Sequence, residues 1–204
     1  MYNERMATEV IPKLTYEEFR QLPEDGKRYE LIHGEVHLTP SATTKHQCVL
    51  QNLSSSLGPF VIKNGLGEVW TAPLDVRLSP DTAVQPDLIF ISNSRAKIIK
   101  ENYIDGAPDL VVEILSPSTA AHDRATKLTL YAEAGVPEVW LLDPLAKTVE
   151  GLKLEGKKYL VIGIPMTVVI GRDGKIANVF VGCSDELEDQ VRDAVKKALD
   201  AGKS

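Results

Sequence analysis

Two acids and one lysine in the middle of the chain could do chemistry together. Asp87 stands in the run VQPDLIFIS and Glu113 in APDLVVEILSPST. Lys127 stands in the helix-like AAHDRATKLTLYAEAG that follows. Each acid falls in a short apolar, β-prone run. An unpaired ionised carboxylate in apolar surroundings is costly, so acids at such positions call for a partner. One carboxylate on each of two strands suits a hard divalent cation such as Mg2+ or Mn2+, which prefers oxygen ligands and needs only one or two carboxylates. Such a cation would activate water and polarise a phosphodiester. Lys127 would orient the water or neutralise charge developing on the phosphate. A backbone carbonyl near Ile114 offers a third metal ligand.

Further polar groups come from the segment RYELIHGEVHLT and the helix after it. Glu30 or Glu35 would complete the metal shell, and His46 would contact phosphate or water. Each assignment has a plainer competitor. Asp87 after Pro86 also fits a turn or strand-start acid, and Glu113 a strand-edge acid in a salt bridge. Lys127 also fits an (i, i+4) pair with Asp123, worth only about 0.3–0.5 kcal/mol on an exposed helix. Glu30 and Glu35 fit outward positions on a hairpin, His46 fits a solvent-facing helix residue, and Asp143 before Pro144 fits a turn. Tyr131, Trp140 and Trp70 read as core or core-edge aromatics.

The elements that must position these groups follow from local signals. Thr15-Tyr-Glu-Glu18 fits a capping box and starts a short helix. Two β-prone runs flank His33-Gly34, which predicts a hairpin with Tyr29 and Leu31 on one face and Glu30 and Ile32 on the other. His46, Val49, Leu50, Leu53 and Leu57 recur at helical spacing, and Gly58-Pro59 should end or kink that helix. EVWTAPLDVRL reads as one strand that Pro73 confines to an edge or a bulge. Val84–Ser92 and Leu110–Leu115 read as the two acid-bearing strands, joined by a charged connection. The helix carrying Asp123, Lys127 and Tyr131 ends at Gly135, with Pro137 just beyond. Val139–Leu142 is an apolar strand, and a hairpin follows across Glu155-Gly156-Lys157. Strands alternate with helices in the middle and hairpins lie at both ends, so an α/β fold with a mixed sheet flanked by helices is expected.

Composition narrows the class. The chain has 204 residues, 43% hydrophobic and 25% charged, with a net charge of −6, an ordinary globular composition. That charge argues against tight, non-specific nucleic-acid binding but allows transient contact through a local basic patch. The longest apolar runs are too short to span a bilayer. MYNERMATEV lacks a basic segment followed by an apolar one, so no secretory signal is expected. Cys48 and Cys183 are spaced as neither a metal knuckle nor a disulfide framework, and a cytoplasmic location is the expectation.

The ordered set RYELIHGEV, VQPDLIFIS, DGAPDLVVEILSPST, Asp123–Lys127–Tyr131 and GVPEVWLLDP resembles the Uma family of restriction-endonuclease-like proteins, within the PD-(D/E)XK nuclease superfamily. The resemblance covers about residues 14–162. It implies a restriction-endonuclease-like core with the two acid strands side by side, and a Mg2+-dependent (or Mn2+-dependent) endonuclease. Its partner would be nucleic acid, DNA in the first place, and a homodimer is compatible with it. Pro86-Asp87 would be the PD motif and Glu113 the second acid. The superfamily's lysine two residues past that acid is missing, because position 115 is Leu. The resemblance moves its role to Lys127. The site it implies is Asp87 and Glu113 as metal ligands, with Lys127, Glu30 and His46 beside them. A catalytically silent binding or assembly module on the same fold is the alternative, favoured by the displaced lysine and the acidic charge. On this reading Lys127→Ala would abolish cleavage and leave folding largely intact.

Residues 163–204 read differently. IGIPMTVVIGRDGKIANVFVGCSDELEDQVRDAVKKAL resembles the C-terminal half of a thioredoxin-like domain, on Ile164-Pro165-Met166-Thr167 and the Asp173-Gly174 turn. TVVI and IANVFV flank that turn as a hairpin. A helix capped by Ser184 or Asp185 follows, with Leu187, Val191, Ala194 and Leu199 on one face. The CxxC half is absent, so the fragment is expected to have no thiol–disulfide activity. The expected domains are thus 1–162, restriction-endonuclease-like, and 163–204, a β-hairpin plus helix.

Overall fold

The computed structural model describes residues 13–23, 25–116, 120–162, 166–170 and 176–181, with the backbone alone for 120–123 and the last two stretches. Thr15 caps α1 (Tyr16–Phe19). Its hydroxyl accepts from the Glu18 N–H at 3.3 Å, and the Glu18 carboxylate accepts from the Thr15 N–H at 2.8 Å, the reciprocal box expected. β1 (Arg28–Ile32) and β2 (Glu35–Thr39) form the predicted hairpin. His33 and Gly34 turn it with φ of 50° and 82°, the positive pair that matches strand twist in a two-residue loop.

α2 (Thr44–Lys63) starts at Thr43, whose hydroxyl accepts from the His46 N–H. It runs through Pro59 instead of ending at Gly58-Pro59. Ser55, four residues back, and Pro59 are both exposed, so the carbonyl that the proline cannot reach stands open to solvent. Val61, 3% exposed, anchors the turn beyond it.

β3 (Gly67–Thr71) and β4 (Val76–Ser79) are separate strands in different sheets, not the single run expected. The cis Ala72-Pro73 bond lies between them. The run over 84–92 also divides, into β5 (Thr82–Val84) and β6 (Leu88–Ser92). Pro86 has no N–H for a ladder, so the chain leaves one sheet there and enters the other. Asp87 therefore sits in the link just ahead of β6, not within a strand. A 3-10 helix (Asn93–Ile98) and β7 (Ile104–Asp105) follow, then β8 (Leu110–Ile114) and α3 (Ala120–Ala134). Gly135, with φ of 78°, turns the chain after α3, as a C-terminal glycine does. β9 (Glu138–Asp143), β10 (Thr148–Glu155) and β11 (Lys158–Ile162) complete the core. Asp143 Oδ1 accepts from the N–H groups of Leu145 and Ala146, so it is the turn residue its place before Pro144 suggests. β12 (Met166–Ile170) pairs antiparallel with β13 (Ile176–Val181) as expected. The helix expected after Ser184, and Cys183, lie outside the described residues.

Two mixed sheets, rather than one, carry the fold. One has the order β11-β10-β9-β8-β6-β3, the other β2-β1-β5-β4-β7. The first is mixed because β8 and β9 run parallel across the α3 crossover, and the second because β4 and β7 do. The larger sheet buries both faces. Leu88, Leu110, Val112, Ile114 and Leu142 pack with Leu50 of α2. Ile89, Ile91, Val111, Val139 and Leu141 pack with Leu130 and Tyr131 of α3 and with Val76, Val84 and Ile104 of the smaller sheet. Strand alternation divides the two sets. Among the described residues no helix is long and apolar enough to cross a membrane.

One backbone approach is tight enough to test. A Cβ built on Gly67, where φ is 155°, would lie 2.0 Å from the Ile91 carbonyl oxygen across the β3–β6 pair. Gly67→Ala is expected to lower stability by on the order of 2 kcal/mol, seen as an earlier urea midpoint at unchanged slope. An unmoved midpoint would contradict this packing.

Candidate active site

Sheet register brings the two acids together. β6 and β8 run antiparallel with Leu88 opposite Val112. Asp87 sits in the link one residue ahead of that pair and Glu113 one residue beyond it on β8, so the two acids lie at the same end of the β6–β8 pair. Alternation along β8 puts Glu113 on the face of Val111, toward α3. A further bond ties the two positions: Asp87 Oδ2 accepts from the Ile114 backbone N–H at 2.7 Å.

Glu30 arrives from β1 of the other sheet. It is 6% exposed and Asp87 is 8% exposed, so neither is a surface acid. The Glu30 Oε1 atom accepts from the Gln85 backbone N–H at 2.8 Å. Lys127, on α3, closes the cluster. Its Nζ lies 3.0 Å from Glu30 Oε1 and 3.1 Å from Glu113 Oε1. Tyr131, one helical turn on, donates its hydroxyl to the same Glu113 oxygen. His46, on α2, reaches across with Nε2 3.1 Å from Asp87 Oδ2. Its Nδ1 is buried without a hydrogen-bond partner among the described residues. All six side chains line one cavity of about 340 Å3 between the sheets, α3 and the chain entering α2.

The electrostatics follow from burial and crowding. Burial pushes the Glu113 carboxyl up to about 7, and the negative charges of Asp87 and Glu30 add to the rise against the pull of Lys127. Burial alone would lower the Lys127 ammonium, but Glu113 and Glu30 outweigh it and hold the lysine above its ordinary range. Burial, then the Glu113 charge, raises the Tyr131 hydroxyl, which therefore keeps its proton and donates. The bond to Asp87 raises His46 against the effect of burial. Lys127 is thus the counter-ion of two buried acids, a role a lysine fills when the alternative is uncompensated buried charge.

Asp87, Glu113, Lys127, Glu30 and His46, the residues singled out in the sequence, all meet here. Glu35 does not, because it faces solvent on β2. Lys127 pairs with Glu30 and Glu113; the side chain of Asp123, its suggested helical partner, lies outside the described residues. Sequence reasoning missed Tyr131 as a site residue. It is fully buried, so it looks like core, and the one signal was its place four residues after Lys127 on the same helical face.

The donor set fits a hard divalent cation. The hydrogen bonds of Asp87 use Oδ2 and those of Glu113 use Oε1, which leaves the second oxygen of each for a ligand among the described residues. No group of three or more His, Cys, Asp or Glu side chains with metal-binding geometry occurs among the described residues. A two-carboxylate site with water and phosphate completing the shell needs no such cage.

Comparison with known proteins gives the chain its family. A protein of Synechocystis sp. described as uncharacterised is 29% identical over 134 residues, 65% of this chain and 69% of that protein. A crystal structure described as "a putative nuclease belonging to DUF820", from Anabaena variabilis, superposes with a TM-score of 0.64 at 21% identity, covering 91% of this chain and 99% of that one. It shows a shared fold. The model of the family described as "Uma2: Putative restriction endonuclease" matches residues 16–174. That span holds every site residue described above, and the chain belongs to the Uma2 family of restriction-endonuclease-like proteins.

Proposed function

We propose that the protein hydrolyses phosphodiester bonds of nucleic acid, DNA in the first place, with Mg2+ or Mn2+ held by Asp87 and Glu113. The observation that carries this reading is the lysine–carboxylate cluster buried in a cavity, with one oxygen of each proposed ligand turned to neither Lys127 nor His46. Restriction-endonuclease-like families use divalent metals, which supports the cofactor. When bound, such an ion would polarise the phosphoryl group and favour ionisation of water beside it.

The protein groups supply the rest. Hydrolysis adds one water across a P–O ester bond: its oxygen bonds to phosphorus and the ester oxygen leaves with a proton. Lys127 is the group that would hold that water or face the charge growing on phosphate. Glu30 is a positioning residue that keeps Lys127 charged and aimed. Tyr131 and the Ile114 N–H fix the rotamers of Glu113 and Asp87 through one oxygen each. His46 steadies Asp87 from α2, with Nδ1 as its remaining polar atom.

Plasmid nicking with and without Mn2+ tests the proposal. The parental protein is expected to nick only with the divalent ion, and Asp87→Asn to lose both nicking and the calorimetric signal of Mn2+ binding. A parental protein that binds Mn2+ at this site and leaves plasmid and RNA intact would favour the silent module instead.

A further inference from the structure

Three basic side chains on α3 and β1 line the cavity: Arg28, Arg124 and Lys127. Lys127 is held by Glu30 and Glu113, and Arg124 by Glu150. Arg28 alone has no carboxylate partner among the described residues. Its Nε donates to the Gln85 side-chain Oε1 at 3.0 Å. Gln85 in turn donates its Nε2 to Asp75 Oδ1 at 2.8 Å, and Asp75 Oδ2 accepts the Tyr16 hydroxyl at 3.0 Å. Tyr16 is 1% exposed. A relay of four side chains, from α1 through the β3–β4 and β5–β6 links to β1, therefore fixes one edge of the Arg28 guanidinium.

The arrangement is informative in two ways. An arginine is usually steadied by a carboxylate, which cancels its charge. Here a neutral amide does the steadying and the acid stands one residue behind it, so the guanidinium is oriented without being neutralised. Using Nε for that bond leaves the terminal nitrogens as the fork that recognises phosphate bidentately. Arg28 and Glu30 also lie on one face of β1, about 7 Å apart along the strand. That places the fork beside the acid cluster and not on it.

We infer that Arg28 anchors a phosphate of the substrate flanking the one that meets Asp87, Glu113 and Lys127, and that Gln85 is its positioning residue. The inference rests on the phosphodiesterase reading for the substrate class. Among the described residues it gives the site a cation that no carboxylate cancels, which suits transient strand contact.

Binding and cleavage separate the two ideas. Anisotropy of a short labelled single-stranded oligodeoxynucleotide is followed with Ca2+ in place of Mg2+, over a series of salt concentrations. Arg28→Ala is expected to weaken binding about tenfold or more and to flatten the slope of log K against log salt by about 0.7, one phosphate contact on a single strand. Mn2+ binding by calorimetry should stay at the parental value. Gln85→Ala should weaken binding less and keep the parental slope, because the charge remains and only its aim is lost. A parental slope and affinity in Arg28→Ala overturn the anchor, as does parental protein that binds no oligonucleotide. Parental nicking that Arg28→Ala matches at equal KM overturns the anchor alone. Oligonucleotide binding that depends on Arg28, without nicking by the parental protein, keeps the anchor and removes the hydrolysis.

Discussion

Lys127→Ala is expected to lower plasmid nicking by about a hundred- to a thousand-fold, the usual cost of losing one preorganised group at developing charge. The same change should also destabilise the metal-free protein, contrary to the neutral effect that the sequence alone suggests. Lys127 Nζ touches Glu30 and Glu113 at 3.0 and 3.1 Å, and removing one partner of a buried ion pair typically costs about 3–5 kcal/mol. Stability and catalysis are therefore confounded in the alanine variant. Lys127→Arg separates them. It restores positive charge to the two acids and should recover much of the melting temperature. It should not recover nicking, because a planar fork does not replace a compact ammonium at a water. An arginine variant that nicks at the parental rate would reduce Lys127 to a counter-ion.

That pairing shows where the sequence is legible and where it stops. The Thr15 cap, the His33-Gly34 turn and the Gly135 stop are local, and each follows from a few adjacent residues. Asp87 and Glu113 stand out because acids in apolar runs are rare, whatever the fold. Pro73 and Pro86 announce breaks in strand-like runs, but a break does not say which sheet takes each half. Here both prolines send the chain from one sheet to the other, and the single expected sheet becomes two. Non-local pairing also hides the partners of the site. Glu30 reaches Lys127 only because β1 joins β5 and not the larger sheet. The Tyr16–Asp75–Gln85–Arg28 relay draws on four distant segments with no shared spacing. Tyr131 has the composition of a core residue and is one; only its hydroxyl partner makes it part of the site.

The metal-free protein should lose stability as pH rises from about 4 to 8, by up to about 3 kcal/mol. The cause is Glu113. Its carboxyl rises from an ordinary 4.5 to about 7, first through burial and then through the charges of Asp87 and Glu30. Between those two values the folded protein holds a proton that the unfolded chain has released. Stability then falls with pH across that window, and above it the full penalty of ionising Glu113 in the fold remains. The slope is opposite to that of a salt-bridged acid with a lowered pKa. At 1.36 kcal/mol per pH unit, 2.5 units give the upper figure, and the 13% of the side chain that stays exposed trims it through solvent screening. His46, raised by Asp87, adds a loss of the same sign as pH passes its own folded value. Urea midpoints at a series of pH values in a chelator read the effect directly. Glu113→Gln should remove most of the loss and leave the smaller His46 component of the same sign. If Asp87 and Glu113 hold a divalent cation, Mg2+ or Mn2+ should restore the lost stability most at the high end, where the carboxylate has no proton to give up. A curve that is flat in the parental protein, or equally steep in Glu113→Gln, would show that Glu113 does not carry the proton.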